Sequence, residues 1–163
     1  MERRKEEATR QRLVDGVTAG CVATLVMTGL VIAAPALGGG RLPLRVAEAV
    51  AQLRGHPFVA ALAFAVHLAY GSLAGGLFAI TARRISVGRG VSFALGLWAV
   101  AIVIYAPLTG LGFIAANAPG LAAFALPAHL LYGVALGALA PPGEIVQPIT
   151  DQAVQSGPPI VQI

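Results

Sequence analysis

The sequence predicts an all-α membrane protein with four transmembrane helices, arranged as two parallel copies of a two-helix unit. The chain of 163 residues is 57% hydrophobic and 11% charged, with a mean hydropathy of +0.80, whereas soluble domains contain about 25% charged residues. Its longest uncharged stretches exceed the roughly 20 apolar residues that a membrane-spanning helix needs. One sequence motif also recurs in the second and fourth spans.

The first half of the chain supplies two of the predicted spans. After a charged head at residues 1–15, the segment Gly16–Gly40 contains no charged residue and is predicted to form helix one. A second uncharged stretch, Gly55–Ala82, contains helix two, with Phe58–Ile80 as its membrane part. Between them, residues 43–54 are predicted to form a short amphipathic helix on the outer surface of the membrane.

The second half of the chain supplies the other two spans. The stretch Gly90–Gly143 contains no Asp, Glu, Lys or Arg and is too long for a single span. Asn117–Gly120 has the composition of a turn, so we expect helix three at Val91–Leu111 and helix four at Leu121–Ala140. Several prolines interrupt residues 141–163, which are predicted to form an irregular cytoplasmic tail.

The internal repeat is carried by the motif H-L-x-Y-G-x-x-x-G. The motif begins at His67 in helix two and at His129 in helix four. The ends of helices one and three match each other too, as A-P-x-x-G-x-G from Ala34 and from Ala106. Because each unit has two spans, the second copy enters the membrane in the same direction as the first. The predicted boundaries are a transmembrane domain at 16–140, divided into repeats at 16–82 and 90–140.

Each motif places its histidine in line with two glycines, because residues four apart share one face of an α-helix. Small residues on such a face let another backbone approach closely. We therefore expect both histidines to face the protein at one depth, near the midplane of the membrane. The glycines expected to pack against other helices are Gly71, Gly75, Gly133 and Gly137.

Two interpretations account for histidines at this depth. In the favoured one, His67 and His129 each bond a backbone carbonyl or a tyrosine hydroxyl across a helix interface. In the alternative, they are the axial ligands of a haem b, and the glycines make room for the macrocycle. A metal ion or a quinone is a variant of this second hypothesis. No metal ligands are assigned, and the lone Cys21 excludes a cysteine-ligated site.

Composition also limits the function classes. No span contains the carboxylate or lysine that proton- or ion-coupled transporters keep inside the membrane. Ser72 lacks the set of histidine and carboxylate that would activate it, so no catalytic residue is assigned and an enzyme is disfavoured. The net charge of +4 comes from the head and two loops, a distribution that favours anionic lipid headgroups over nucleic acid.

Basic residues predict the orientation, because cytoplasmic loops retain Lys and Arg. The head and the second loop hold eight of them, and the first loop holds three. Both termini are therefore predicted on the cytoplasmic side of the inner membrane. The eight basic residues are Arg3, Arg4, Lys5, Arg10, Arg12, Arg83, Arg84 and Arg89.

The sequence resembles a family of uncharacterised small prokaryotic membrane proteins in three features. These are the stretch Ala23–Thr28, which has the form A-T-x-x-M-T, the Pro-Gly turn, and the paired H-L-x-Y-G helices. The resemblance spans about Gly16–Ala140 and implies a four-helix fold without implying an activity. The predicted function is a non-enzymatic accessory or structural subunit, bound to other membrane subunits or to itself, with a respiratory complex as the first expected partner. The alternatives are a di-histidine haem b electron-transfer protein and, less favoured, a small-molecule carrier or pore.

Overall fold

The described part of the chain is a bundle of four long helices. A computed structural model describes residues 2–33, 55–82 and 84–140. All four helices are long and apolar enough to cross a membrane, which confirms the predicted all-α, four-span fold. Their bounds are α1 Glu2–Ala33, α2 Pro57–Thr81, α3 Val87–Leu108 and α4 Pro119–Leu139.

Three sequence predictions fall outside the described residues. They are the amphipathic helix at 43–54, the A-P-x-x-G-x-G match that begins at Ala34, and the tail at 141–163.

Helix α1 begins at Glu2, well before the predicted start at Gly16. The head contains Glu, Lys, Arg and Gln, which are good helix formers, so its backbone continues the helix of the first span. Glu2 in the first turn also interacts favourably with the positive end of the helix dipole. The charged head is therefore the exposed first part of α1 and not a separate irregular segment.

Helices α2 and α4 begin in the same way, each with a proline in its first turn, Pro57 and Pro119. Proline suits this position because the missing N–H would have had no partner within the helix. His67 and His129 each follow ten residues later, about 15 Å along the helix axis. If each helix start lies at one boundary of a hydrocarbon core of about 30 Å, this distance corresponds to the middle of the core, which is the depth expected from the sequence.

Helix α3 changes its winding near its end. An α-helical part that reaches Val100 is followed by a π-helical stretch, Ala101–Tyr105, and a last α-helical turn, Ala106–Leu108. Pro107 lies in that last turn and has no N–H to donate, and the wider winding directly precedes it. The irregularity that accompanies this proline thus takes the form of a π-helical stretch.

The helices pack as two pairs, α1 with α2 and α3 with α4, and α1 also packs along α4. Helices α2 and α3 approach each other less closely, and they touch through Phe78 and Phe93, whose ring centroids are 5.3 Å apart. The core between the pairs includes the fully buried Ala23, Ala94 and Leu136. Among the described residues, the bundle is thus closed along α1 and α4 and more open between α2 and α3.

Candidate functional site

The glycines of the repeated motif lie directly against the backbone of the neighbouring helix. A Cβ atom added at Gly75 would lie 2.6 Å from the Cα of Gly20, and one added at Gly137 would lie 2.7 Å from the Cα of Val87. Such distances are far below van der Waals contact, so only glycine allows these helices to approach so closely.

The other two motif glycines also face a neighbouring helix. A Cβ atom at Gly133 would lie 2.8 Å from the Cβ of Ala94, and one at Gly71 would overlap the side chain of Thr24. Gly20 opposes Gly71 and Gly75 in the first pair. In the second pair Gly90 opposes Gly133 and Gly137 in the same way, so the repeat in sequence is also a repeat in packing.

Next to these glycine contacts, towards the Pro57 and Pro119 ends, the four helices surround a small cavity near the middle of the bundle. Its volume is about 20 Å³, which is room for about one water molecule. Leu97 contributes to it from α3, and the other three helices supply its remaining lining. The polar and sulfur-containing side chains around it are Thr24, Met27, His67, Tyr70, His129 and Tyr132.

His129 has one of its two ring nitrogens committed to a hydrogen bond. The side chain is half-buried, and its Nδ1 lies 2.8 Å from the carbonyl oxygen of Ala125 in the same helix. A carbonyl oxygen can only accept a hydrogen bond, so Nδ1 carries the hydrogen. In the neutral ring, Nε2 then keeps a free lone pair that can bind a ligand.

His67 is exposed and makes no hydrogen bond within the described part of the chain. This differs from the expectation that both histidines face the protein. Successive residues turn by about 100°, so the eight residues from His67 to Gly75 accumulate an offset of about 80°. Because Gly75 faces α1, His67 lies at the edge of α2, where it lines the rim of the cavity.

The two tyrosines of the repeated motif also have different environments. Tyr132 is 3% exposed, and its hydroxyl donates to the carbonyl oxygen of Gly71 at 2.7 Å, which joins α4 to α2. Tyr70 is 47% exposed and has no hydrogen bond to a described residue. Tyr132 therefore joins two helices, whereas Tyr70 presents its hydroxyl to the cavity.

Helix α1 adds two hydroxyl groups near this level. Thr24 is fully buried, and its hydroxyl donates to the carbonyl oxygen of Gly20 at 2.7 Å. The hydroxyl of Thr28 is buried and has no partner among the described residues. Since α1 and α2 are antiparallel and Thr24 opposes Gly71, one further turn along α1 places Thr28 level with His67.

A haem does not fit this arrangement. The motif glycines that would make room for a macrocycle are covered by α1 and α3. The cavity of about 20 Å³ is also far smaller than the roughly 300–1,000 Å³ of pockets for drug-sized ligands. The geometry disfavours the haem alternative, which an absorption spectrum can test.

Trp98 joins α3 to α4 through a hydrogen bond that the sequence indicates only approximately. Its indole N–H donates to the carbonyl oxygen of Ala122 at 3.2 Å. The sequence predicts a free carbonyl at Ala123, because Pro127 lacks the N–H that would bond it. The observed acceptor is instead the carbonyl of the preceding residue, Ala122.

Met27 and Thr24 were not predicted as site residues, yet both line the cavity. A signal for them exists in the spacing of α1. Small or cavity-lining residues are spaced three or four apart along α1, which places them on one face of the helix. They are Gly16, Gly20, Thr24 and Met27.

A bundle of four helices, each long and apolar enough to cross a membrane, defines a multi-pass helical membrane protein. Residues 10–142 match a family of unknown function, DUF6789, and the chain belongs to this family. The expected membership of an uncharacterised family is thereby confirmed. No curated protein and no solved structure matches the chain significantly.

Proposed function

We propose that the protein is a non-enzymatic accessory or structural subunit of a complex in the cytoplasmic membrane, with a respiratory complex as its partner. The observation that carries this proposal is the use of its polar side chains. Outside the charged head, where Gln11 donates to the carboxylate of Asp15, every hydrogen bond that a side chain donates in the described spans ends on a backbone carbonyl, as with Ser72 to Leu68 and Trp98 to Ala122. Polar groups used in this way stabilise helices and their packing.

The exposed surface of the bundle supports association within the bilayer. Phe58, Leu62 and Leu73 on α2 are 79%, 55% and 70% exposed, and Leu108 at the end of α3 is 81% exposed. Side chains of this kind pack equally well against lipid tails and against the apolar face of another membrane helix. The glycines, by contrast, are used inside the bundle, so an added helix would contact these larger side chains.

The ends of the helices support the proposed orientation, with both termini in the cytoplasm. Arg12 donates from Nη2 to the carbonyl oxygen of Ala82 at 3.0 Å, which ties the charged head to the end of α2. Arg84 lies in the link that follows, and Arg89 in the first turn of α3 donates from Nη1 to its carbonyl oxygen at 3.1 Å. Basic residues from the head and the link thus share one end of the bundle, as cytoplasmic segments do.

Photocrosslinking in native membranes followed by mild detergent extraction tests the proposal. A photoreactive residue at Leu73, which is 70% exposed, should form an adduct with a chain of a respiratory complex. The same residue at Leu136, which is 0% exposed, should give no adduct with another polypeptide and serves as the control. Recovery of the protein alone, with only lipid adducts at Leu73, would contradict a subunit role.

Transport is the alternative that a second assay separates from this proposal. The cavity of about 20 Å³ does not extend through the described bundle, and the described spans present no charged pathway for ions. Proteoliposomes should therefore show no flux above that of empty vesicles. A saturable flux of any small molecule would replace the subunit proposal with a carrier.

A further inference from the structure

We propose that the cavity between the four helices binds one Cu(I) ion, with His67, His129 and Met27 as ligands. Met27 is 8% exposed and lines the cavity together with both histidines of the described spans. Apart from Met1, it is the single methionine of the chain. This inference does not depend on the subunit proposal, since a metal site can form with or without partner chains.

His129 is already arranged as a metal ligand. Histidines that bind metals commonly donate their second ring N–H to a backbone carbonyl or a carboxylate, which fixes the ring and makes the other nitrogen a better ligand. The bond of 2.8 Å from Nδ1 to the carbonyl of Ala125 is such a contact. It leaves Nε2 as the atom available to an ion in the cavity.

His67 supplies the second nitrogen from the rim. Its ring has no hydrogen bond to a described residue, so binding an ion breaks no existing contact of this side chain. The buried hydroxyl of Thr28 lies level with it and lacks a partner within the described ranges. That hydroxyl can accept the hydrogen of the nitrogen that does not bind the ion.

The chemistry of the ligands selects copper in its reduced state. Thioether and imidazole groups are the soft and intermediate ligands that bind Cu(I) well, whereas carboxylates and carbonyls suit harder ions. The side chains that line the cavity contain no carboxylate and no thiol. The ion therefore keeps its full charge in a medium of low dielectric constant, where the cost rises with the square of the charge, and a monovalent ion is favoured over Zn²⁺.

The size of the cavity agrees with a single ion. A volume of about 20 Å³ accommodates one atom of metal or one water molecule. The ring of a quinone or a haem is much larger than this space. The competing occupant is a water molecule bound by the same polar groups, and the metal measurements below distinguish the two.

The test measures copper bound to the purified full chain in detergent. All variants carry Cys21→Ser, because the lone thiol would itself bind Cu(I). Protein loaded with Cu(I) without oxygen, then desalted against a Cu(I) chelator, should retain about one copper per chain. The affinity should fall by about 100-fold or more in His129→Ala and Met27→Leu, since even the supporting contacts of metal ligands are worth about 10–100-fold.

Two controls separate metal binding from folding. His56→Ala removes the histidine that precedes α2, outside the cavity, and should retain the copper. Met27→Leu keeps nearly the same volume, so the bundle should fold normally while the sulfur ligand is lost. X-ray absorption should show nitrogen and sulfur neighbours of copper, and Met27→Leu should remove the sulfur.

Three results would overturn the proposal. The first is parent protein that retains no Cu(I), as expected if a water molecule occupies the cavity. The second is equal copper in the parent and in the His129→Ala and Met27→Leu variants. The third is preferential retention of Zn²⁺ supplied in the same way.

Discussion

Replacing Gly75 by alanine tests the helix contact on which the bundle depends. The added methyl would lie 2.6 Å from the Cα and 2.8 Å from the nitrogen of Gly20. Both atoms belong to the backbone, so the contact can be relieved only if α1 and α2 move apart. Overpacking of this kind costs about 1–3 kcal/mol.

A matched control isolates this steric term. At Gly96, an added Cβ meets nothing within 4 Å of its position, so Gly96→Ala should only gain the roughly 0.5–1 kcal/mol by which alanine exceeds glycine in a helix. Gly75→Ala gains the same amount from helix propensity, but the steric clash with Gly20 also destabilises it. The difference in free energy of unfolding between the two variants should therefore be about 1–3 kcal/mol.

Equilibrium unfolding in mixed detergent micelles measures this difference. The chain has a single tryptophan, and Trp98 makes a hydrogen bond between α3 and α4 in the folded state. Its fluorescence therefore follows unfolding of the bundle without a label. If Gly75→Ala proved as stable as Gly96→Ala, the backbones of α1 and α2 could not be in contact at Gly20 and the packing argument would fail.

Three further predictions use the same unfolding assay or a simple spectrum. Tyr132→Phe should destabilise the bundle by about 1–2 kcal/mol, because the buried hydrogen bond to the carbonyl of Gly71 is lost. Tyr70→Phe should change stability little. Equal effects would contradict the different roles of the two tyrosines. Arg12→Gln should cost about 1 kcal/mol through the lost bond to Ala82, and an unchanged unfolding midpoint would show that this bond does not stabilise α2. The reduced-minus-oxidised spectrum of protein from cells supplied with a haem precursor should be flat, and b-type bands that vanish when either mid-membrane histidine is replaced would establish the haem alternative.

The spans could be predicted because each is a long run of apolar residues, but the start of α1 and the end of α3 could not. The bilayer fixes where charged residues are excluded and does not require a helix to stop there. Helix α1 therefore extends back to Glu2 through residues that favour helix in water as well. Helix α3 ends at Leu108, before the predicted Leu111, because Gly110 takes the left-handed conformation with φ of 77°.

The position of the two histidines along their helices could also be predicted, since it depends only on their distance in sequence from each helix start. The different environments of the histidine and tyrosine in the two motif copies could not be predicted. His67 and His129 begin the same sequence motif, yet His67 is exposed and His129 is half-buried. This difference arises because α1 packs along α4 while α2 and α3 stay further apart, and no local pattern encodes that choice.

The role of Met27 could not be predicted from the sequence either. On its own helix it is an ordinary apolar residue, and it becomes part of a site only when α2 and α4 bring the histidines to it. Counted from the packing glycines Gly20 and Gly90, its counterpart in the second repeat is Leu97, which lines the same cavity from α3. The two copies thus present equivalent positions to one cavity, and sequence divergence between them gives that cavity a single sulfur atom.

The two repeats face each other across one cavity in the middle of the bundle, and a pair of cysteines tests this arrangement. In the Cys21→Ser background, cysteines that replace Met27 and Leu97 should be joined efficiently by a short bifunctional thiol reagent, because both positions line the cavity. A pair at Met27 and Leu95 is the control, since Leu95 is exposed and lies about 200° around α3 from Leu97. Crosslinking of the first pair and not the second is the predicted result. Equal crosslinking of both pairs, or of the control alone, would contradict the arrangement.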